Sequence, residues 1–228
     1  MTAALAATEI CVFDAYGTLF DFNSAVARHR ATIGAKADVL AEMWRAKQIQ
    51  YTWLRNSMGV YDKFWQVTGE ALDHCLAAHR IADAGVREKL MRAYLALDPF
   101  PEVPAMIDRL ERAGKRLAIL SNGNPEMLDP MVKASGLAGR FEAVLSVDAA
   151  RVFKPDPRVY RLVEQRCAVT PDKVCFLSSN CWDAHGAAQF GFSTVWVNRT
   201  RAPDDNLPGT TVATIDDLSS LPSLLGVP

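Results

Sequence analysis

No hydrophobic run in these 228 residues approaches the roughly 18 needed to cross a membrane, which excludes a helical membrane span from the start. The opening Met1-Thr2-Ala3-Ala4-Leu5 lacks the basic stretch and long apolar core of a secretory signal. Neither sign of charge is in excess. Lys and Arg number 25 against 26 Asp and Glu, so the net charge of −1 gives no footing for nucleic acid or an anionic membrane as partner. Cysteine is sparse. The five cysteines, at 11, 75, 167, 175 and 181, are odd in number and show no C-x-x-C spacing. Buried reduced thiols in a cytoplasmic protein are therefore expected, rather than disulfides or zinc. There is no internal repeat and no low-complexity segment.

What remains is an ordinary globular composition, half hydrophobic, in a chain long enough for one domain or two. The chain has two regimes. Beyond about residue 101, helical and strand patterns alternate. Val103 to Ala113 predicts a helix that Gly114 ends, and Arg116 to Leu120 a strand running into Ser121-Asn122-Gly123. Asn124-Pro125 opens a helix reaching about Gly136, and Val144 to Val147 is a short strand. Asp156-Pro157 opens a helix to about Cys167, and Lys173 to Leu177 is a strand running into Ser178-Ser179-Asn180. A helix from Trp182 to Phe190 and a strand from Thr194 to Val197 follow. The segment from Arg201 to Pro208 is a polar, proline-containing loop. Alternation of this kind predicts a parallel sheet covered by helices on both faces. At the other end, the apolar run Ile10-Cys11-Val12-Phe13 stops at Asp14, as a buried strand does when it feeds a loop.

Between Asp21 and Pro99 no strand is apparent and the helical runs are long: Ala37 to Met58, Tyr61 to His79, and Val86 to Leu97. This segment reads as a helical insert placed after the first strand's loop, where it closes over the carboxyl edge of the sheet. The polar residues of interest collect at that edge. They are Asp14, then Ser121 and Asn122, then Ser178, Asn180 and Asp183, with Lys154 in a loop before a helix. Singly, each is an ordinary turn or surface residue. In a doubly wound sheet, their loops converge.

Those same segments carry a resemblance. Phe13-Asp14-Ala15-Tyr16-Gly17-Thr18-Leu19-Phe20, Leu120-Ser121-Asn122-Gly123, Val152-Phe153-Lys154-Pro155 and Ser178-Ser179-Asn180-Cys181-Trp182-Asp183 are similar to the four motifs of the haloacid dehalogenase superfamily. Trp44-Arg45-Ala46-Lys47-Gln48 and Tyr51-Thr52-Trp53-Leu54-Arg55 resemble its L-2-haloacid dehalogenase branch. The resemblance covers essentially the whole chain. It implies an α/β fold, with a Rossmann-like parallel-sheet core at 1–20 and 100–228 and a helical cap at 21–99, inserted after the first strand. Most of the superfamily are magnesium-dependent phosphatases with a second Asp two positions after the nucleophile, which protonates the leaving alcohol. Tyr16 stands there instead. A halide leaves without protonation, so an aromatic at that position favours dehalogenation over phosphoryl transfer, while Asp14, Lys154, Arg45 and Asp183 together argue against a silent binding module.

The resemblance then implies roles. Asp14 attacks the halogen-bearing carbon of a short L-2-haloalkanoic acid, giving an aspartyl ester with inversion, and water hydrolyses the ester to a 2-hydroxy acid; fluoroacetate is a further candidate substrate. Lys154 holds Asp14 ionised. Thr18 and Ser178 donate supporting hydrogen bonds, Tyr160 orients the Asp14–Lys154 region, and Asp183, placed with Asn180 and Lys154, activates water. Backbone N–H groups near Ala15 and Tyr16, with Ser121 and Asn122, bind the substrate carboxylate. Arg45, Asn122 and Trp182 bind halide. Tyr16, Ile49, Phe64 and Trp182 form the apolar wall. Ala46, where relatives often carry Gln, implies a wider pocket. His185, oriented by Asp21, is an alternative water base. The reactants implied are the haloacid and water, with no metal or cofactor, in a homodimer.

Overall fold

The fold grows from one strand. β1 (Ile10–Phe13) is four apolar residues without a polar break, each fully buried, as a strand must be when both of its faces are covered. In the computed structural model, which describes residues 3–82 and 84–227, β1 lies inside a six-stranded, all-parallel sheet. The remaining strands are β2 (Phe20–Asp21), β3 (Asp98–Pro99), β4 (Arg116–Ser121), β5 (Ala143–Ser146), β6 (Val174–Ser178), β7 (Ser193–Val197) and β8 (Ala213–Ile215). The sheet order is β5-β4-β1-β6-β7-β8. β1 therefore has β4 on one side and β6 on the other, which is the topological switch point where such sheets bind ligands.

The helices are α1 (Ala3–Ala6), α2 (Asn23–Ala27), α3 (Arg30–Ile33), α4 (Ala37–Met58), α5 (Phe64–Ala78), α6 (Ala84–Tyr94), α7 (Val103–Arg112), α8 (Pro125–Ala134), α9 (Pro157–Cys167), α10 (Cys181–Phe190) and α11 (Leu221–Leu224). Spacing explains them. In α7, Val103, Met106, Ile107 and Leu110 fall on one face and are buried, while the charged residues face outward. α9 starts where Asp156 accepts a hydrogen bond from Arg158 N and Pro157 takes the first helical position. α4 ends at Gly59, whose φ of 67° is the left-handed conformation glycine adopts without strain. No helix among the described residues is long and apolar enough to cross a membrane.

Several expected boundaries move. β4 and β6 each run one residue further, because Ser121 and Ser178 still pair in the sheet with Ser146 and Trp196. The strand expected at 144–147 is Ala143–Ser146, and Val147 begins a tight turn of helix instead. The helix expected from Tyr61 starts at Phe64, since Lys63 is extended. α6 ends at Tyr94 rather than Leu97, because the chain must straighten into β3. Three strands were not foreseen. β8 is short and half-exposed. β2 and β3 have two residues each and form an antiparallel pair in which Phe20 faces Pro99 and Asp21 faces Asp98. That pair is where the chain leaves the sheet and returns to it, so α2 to α6 hang over the carboxyl edge from one neck.

Candidate active site

Asp14 follows β1 and is 5% exposed, which makes a carboxylate there costly unless its oxygens are bonded. Each oxygen has partners. Oδ1 accepts from Lys154 Nζ at 3.0 Å; Oδ2 accepts from Asn180 Nδ2 at 2.9 Å and from the Thr18 hydroxyl at 3.3 Å. Lys154 comes from the loop after β5, through a cis Lys154–Pro155 bond. Its ammonium also donates to Asp183 Oδ2 at 2.8 Å, and the Tyr160 hydroxyl donates to Asp183 Oδ1 at 2.8 Å. One cation thus joins two buried carboxylates, with Asp183 in the first turn of α10. Burial pushes the Asp183 carboxyl above its usual range; Lys154 pulls the other way and Asp14 adds to the rise. For Lys154 the balance reverses. Burial disfavours the ammonium, yet Asp14 and Asp183 together raise its pKa.

Each Asp183 oxygen therefore already accepts from one protein donor, and an ammonium occupies the place between the two carboxylates. Magnesium, which takes several carboxylate and carbonyl oxygens, does not fit this donor set.

The loop after Asp14 is tight. Gly17 at φ 87° donates from N to Phe20 O at 2.7 Å, and Leu19 N and Phe20 N both reach Ala15 O at 3.0 Å. A side chain at Gly17 would meet Ser179 Oγ at 2.8 Å. Among the described residues, none of the loop's hydrogen bonds is donated by the N–H of Ala15 or Tyr16. These two groups are the expected carboxylate cradle. Asn122 presents Oδ1 to Lys154 N at 3.0 Å, and no described hydrogen bond uses its Nδ2. Ser121 Oγ accepts from Gly123 N, which fixes the turn. Ser178, expected as a donor, instead accepts from Asn180 N at 3.2 Å.

From the cap, Arg45 reaches Asn180 Oδ1 at 3.1 Å and Tyr16 O at 3.5 Å, and its guanidinium lies over the Phe22 ring. A buried polar set holds it there: Gln48 Oε1 accepts from Arg45 at 2.7 Å and from Tyr94 at 3.1 Å, while Gln48 Nε2 donates to Thr68 Oγ1 at 2.7 Å. Tyr16 stacks between Tyr94 and Phe64, with ring centroids 5.4 and 5.6 Å away, and its hydroxyl is buried without a partner. Ile49 is buried on α4.

Three placements differ from expectation. Trp182 is half-buried and packs edge-on against Trp53, beside an outer groove shared with Pro155 and Leu207. Ala46 is exposed and lines a separate groove of about 580 Å³ with Phe22, Val26 and Arg45, rather than the space near the carboxylates. His185 does not meet Asp21. Its Nε2 lies 2.9 Å from Asp204 Oδ1 and its Nδ1 2.7 Å from Gly209 O, whereas Asp21 Oδ1 accepts from Asn23 N. The first helical turn turns His185 away from Asp183, towards the loop after β7.

Two contributors escaped the sequence reading. Arg199, after β7, donates to Gly17 O at 3.2 Å and Thr18 O at 2.8 Å, and bonds Glu102 at 2.6 Å, so it clamps the Asp14 loop from behind. Asn56, in the cap, exchanges two hydrogen bonds with the Phe153 backbone, 2.7 Å from Nδ2 and 2.9 Å to Oδ1, immediately before Lys154. Only their positions in space reveal them.

A parallel α/β sheet, a helical cap and a buried Asp–Lys–Asp constellation at the switch point define a hydrolase of one known type. Residues 8–191 match the haloacid dehalogenase-like hydrolase family, and the chain belongs to it. Within that family it falls in the L-2-haloacid dehalogenase branch. It is 45% identical over 196 residues to (S)-2-haloacid dehalogenase 4A of Burkholderia cepacia, covering 86% of this chain and 85% of the relative. It is 43% identical over 216 residues to (S)-2-haloacid dehalogenase 1 of Pseudomonas sp. (strain CBS-3), covering 94% and 95%. Its fold superposes on the L-2-haloacid dehalogenase from Xanthobacter autotrophicus with chloropropionic acid covalently bound, at a TM-score of 0.89 and 37% identity, covering 96% of this chain and 98% of that one.

Proposed function

We propose that the protein hydrolyses short L-2-haloalkanoic acids to 2-hydroxy acids with inversion, through an ester on Asp14 and without a metal ion. The observation that carries this is a buried carboxylate with both oxygens oriented, beside a tyrosine where an alcohol-expelling relative needs an acid. An Asp14 oxygen forms a bond to the substrate's C2 as the carbon–halogen bond breaks, and halide departs with the bonding pair. Arg45 and the Nδ2 of Asn122 supply positive charge and a donor on the side where halide charge develops. The free N–H groups of Ala15 and Tyr16 hold the substrate carboxylate and align C2 for back-side attack.

Water then attacks the Asp14 carbonyl carbon. Asp183 accepts the water proton, a task suited to a carboxyl whose pKa burial has raised. Collapse expels the ester oxygen as an alkoxide, which takes the water proton back from Asp183 and leaves as the hydroxy acid, so one oxygen from water enters Asp14 and the product keeps the oxygen that Asp14 supplied. Inversion occurs once, in the first step. Fluoroacetate belongs in the same reading as the hardest substrate, because C–F cleavage leans most on Arg45 and Asn122.

The test is halide release from L- and D-2-chloropropionate and from fluoroacetate, with a chelator present and Asp14→Asn as control. Single turnover in ¹⁸O-water, followed by mass analysis of the peptide containing Asp14, reads the mechanism. Release from the L isomer alone, abolished in the variant, with label in Asp14, is the expected result. Label appearing first in the hydroxy acid, or phosphate-ester hydrolysis that requires magnesium, would overturn the proposal.

A further inference from the structure

Beside the first turns of α10, a second cluster has no part in this chemistry. Cys181 and His185 stand four residues apart on one face of α10, and Asp204 comes from the loop after β7. Their sulfur, nitrogen and oxygen atoms lie within 4.8 Å of one another; His185 is buried, Cys181 half-buried and Asp204 exposed. We propose that Cys181, His185 and Asp204 form a binding site for a thiophilic divalent cation of the zinc class, which ties the 201–208 loop to α10.

The imidazole carries the argument. Nδ1 lies 2.7 Å from Gly209 O, and a carbonyl can only accept, so Nδ1 bears the hydrogen. In the neutral ring, Nε2 then has a lone pair, and it faces Asp204 Oδ1 at 2.9 Å. Two acceptors in that position need a positive centre between them, either a proton or a metal ion. The Cys181 sulfur beside them is a third donor that a proton does not use. Metal-ligating histidines characteristically give their other N–H to a backbone carbonyl, which fixes tautomer and ring orientation.

That carbonyl is where it is because residue 209 is glycine. Its φ is 93°, and a Cβ there would fall 2.4 Å from His185 O and 2.7 Å from Gln189 N. Only a glycine lets the loop close this tightly onto α10. Asp204 is steadied in turn by Asn206 N, 2.8 Å from Oδ1.

One sulfur, one nitrogen and one oxygen, with a water in the fourth position, make a tetrahedral zinc environment, and the thiolate selects against magnesium and calcium. Zinc bond lengths of about 2.0–2.3 Å place neighbouring ligands about 3.3–3.6 Å apart, so small side-chain rotations close the site. The same loop supplies Leu207 and Pro208 to an apolar groove of about 620 Å³ that Trp182 also lines. Fixing the loop therefore fixes one wall of that groove.

The test strips the full-length protein with chelator, then titrates it with Zn²⁺ and, separately, with Co²⁺. One equivalent of Zn²⁺ should survive gel filtration and raise the melting temperature. Co²⁺ should give a thiolate-to-metal charge-transfer band in the near ultraviolet. Cys181→Ser should abolish the band, and both Cys181→Ser and Asp204→Asn should weaken Zn²⁺ binding by about 100-fold or more. Halide release should be unchanged in both variants. No retained zinc and no thermal shift would overturn the proposal. So would a cobalt band that persists without the sulfur.

Discussion

Replacing Lys154 with methionine removes the shared cation while keeping much of its apolar stem. The ammonium lies 3.0 Å from one Asp14 oxygen and 2.8 Å from one Asp183 oxygen, and the three side chains are 1%, 7% and 0% exposed. Deleting one partner of a buried ion pair costs about 3–5 kcal/mol, because an uncompensated charge stays behind. Here two carboxylates stay behind, facing each other across the space the ammonium held. The variant relieves this by folding with one carboxyl protonated. Asp183 is the group already displaced upward by burial, with Lys154 opposing the rise; without Lys154 its folded pKa climbs further above the unfolded value of about 3.9.

A group raised on folding binds a proton as the chain folds. Its stabilising share is complete below the unfolded pKa and is lost as pH climbs towards the folded one. A one-proton difference is worth about 1.4 kcal/mol per pH unit. The gap in stability between native protein and variant should therefore widen by up to about 2.7 kcal/mol between pH 5 and pH 7. Urea unfolding followed by tryptophan fluorescence at both pH values measures it. An equal gap at the two pH values, or a loss under about 1 kcal/mol at pH 7, would refute the shared-cation reasoning.

Two further outcomes follow from single contacts. Tyr16→Phe deletes a buried hydroxyl that has no partner, so the unfolding free energy should rise by roughly 1–3 kcal/mol, read as a higher urea midpoint with the m-value unchanged; a lowered midpoint would mean the hydroxyl is bonded in solution. Asn56→Ala strips both hydrogen bonds from the Phe153 backbone, should cost about 1–3 kcal/mol, and should lower kcat for halide release more than it raises KM, because Lys154 is the next residue; an unchanged kcat would separate the cap contact from the chemistry.

The sequence displayed the convergence of polar residues at the sheet edge. Asp14, Asn180 and Asp183 lie just beyond the buried apolar strands β1 and β6, Lys154 lies in the loop that follows β5, and a parallel sheet brings such loops together whatever the details. Arg45 was legible only through the family pattern, since a charged residue on an amphipathic helix gives no sign of which way it points. Asn56 and Arg199 were not legible at all. Each acts on a backbone carbonyl or a neighbouring side chain distant in sequence, and such partners leave no local periodicity. The pairing of His185 with Asp21 failed for the same reason: its partner, Asp204, lies in a polar loop with no repeating pattern. The two-residue strands β2 and β3 are shorter than any alternation can register, and one contains a proline.

That short neck has a consequence for how the molecule can change. The backbone of the segment between Asp21 and Asp98 leaves and rejoins the sheet at one place, where Asp98 N reaches Ser24 Oγ at 3.2 Å and Arg28 pairs with the Asp98 carboxylate, while Arg45 and Asn56 reach across to Asn180 and Phe153. Because both crossings run side by side, the insert can be lengthened, shortened or replaced without altering the register of any strand in the large sheet. Asp14, Lys154 and Asp183 belong to the conserved half of such an exchange, and Arg45 to the exchangeable half. Asp14, Lys154 and Asp183 come from the sheet side while Arg45 and Asn56 come from the insert, so a library confined to the insert that keeps those two residues should recast substrate preference while leaving the nucleophile in place.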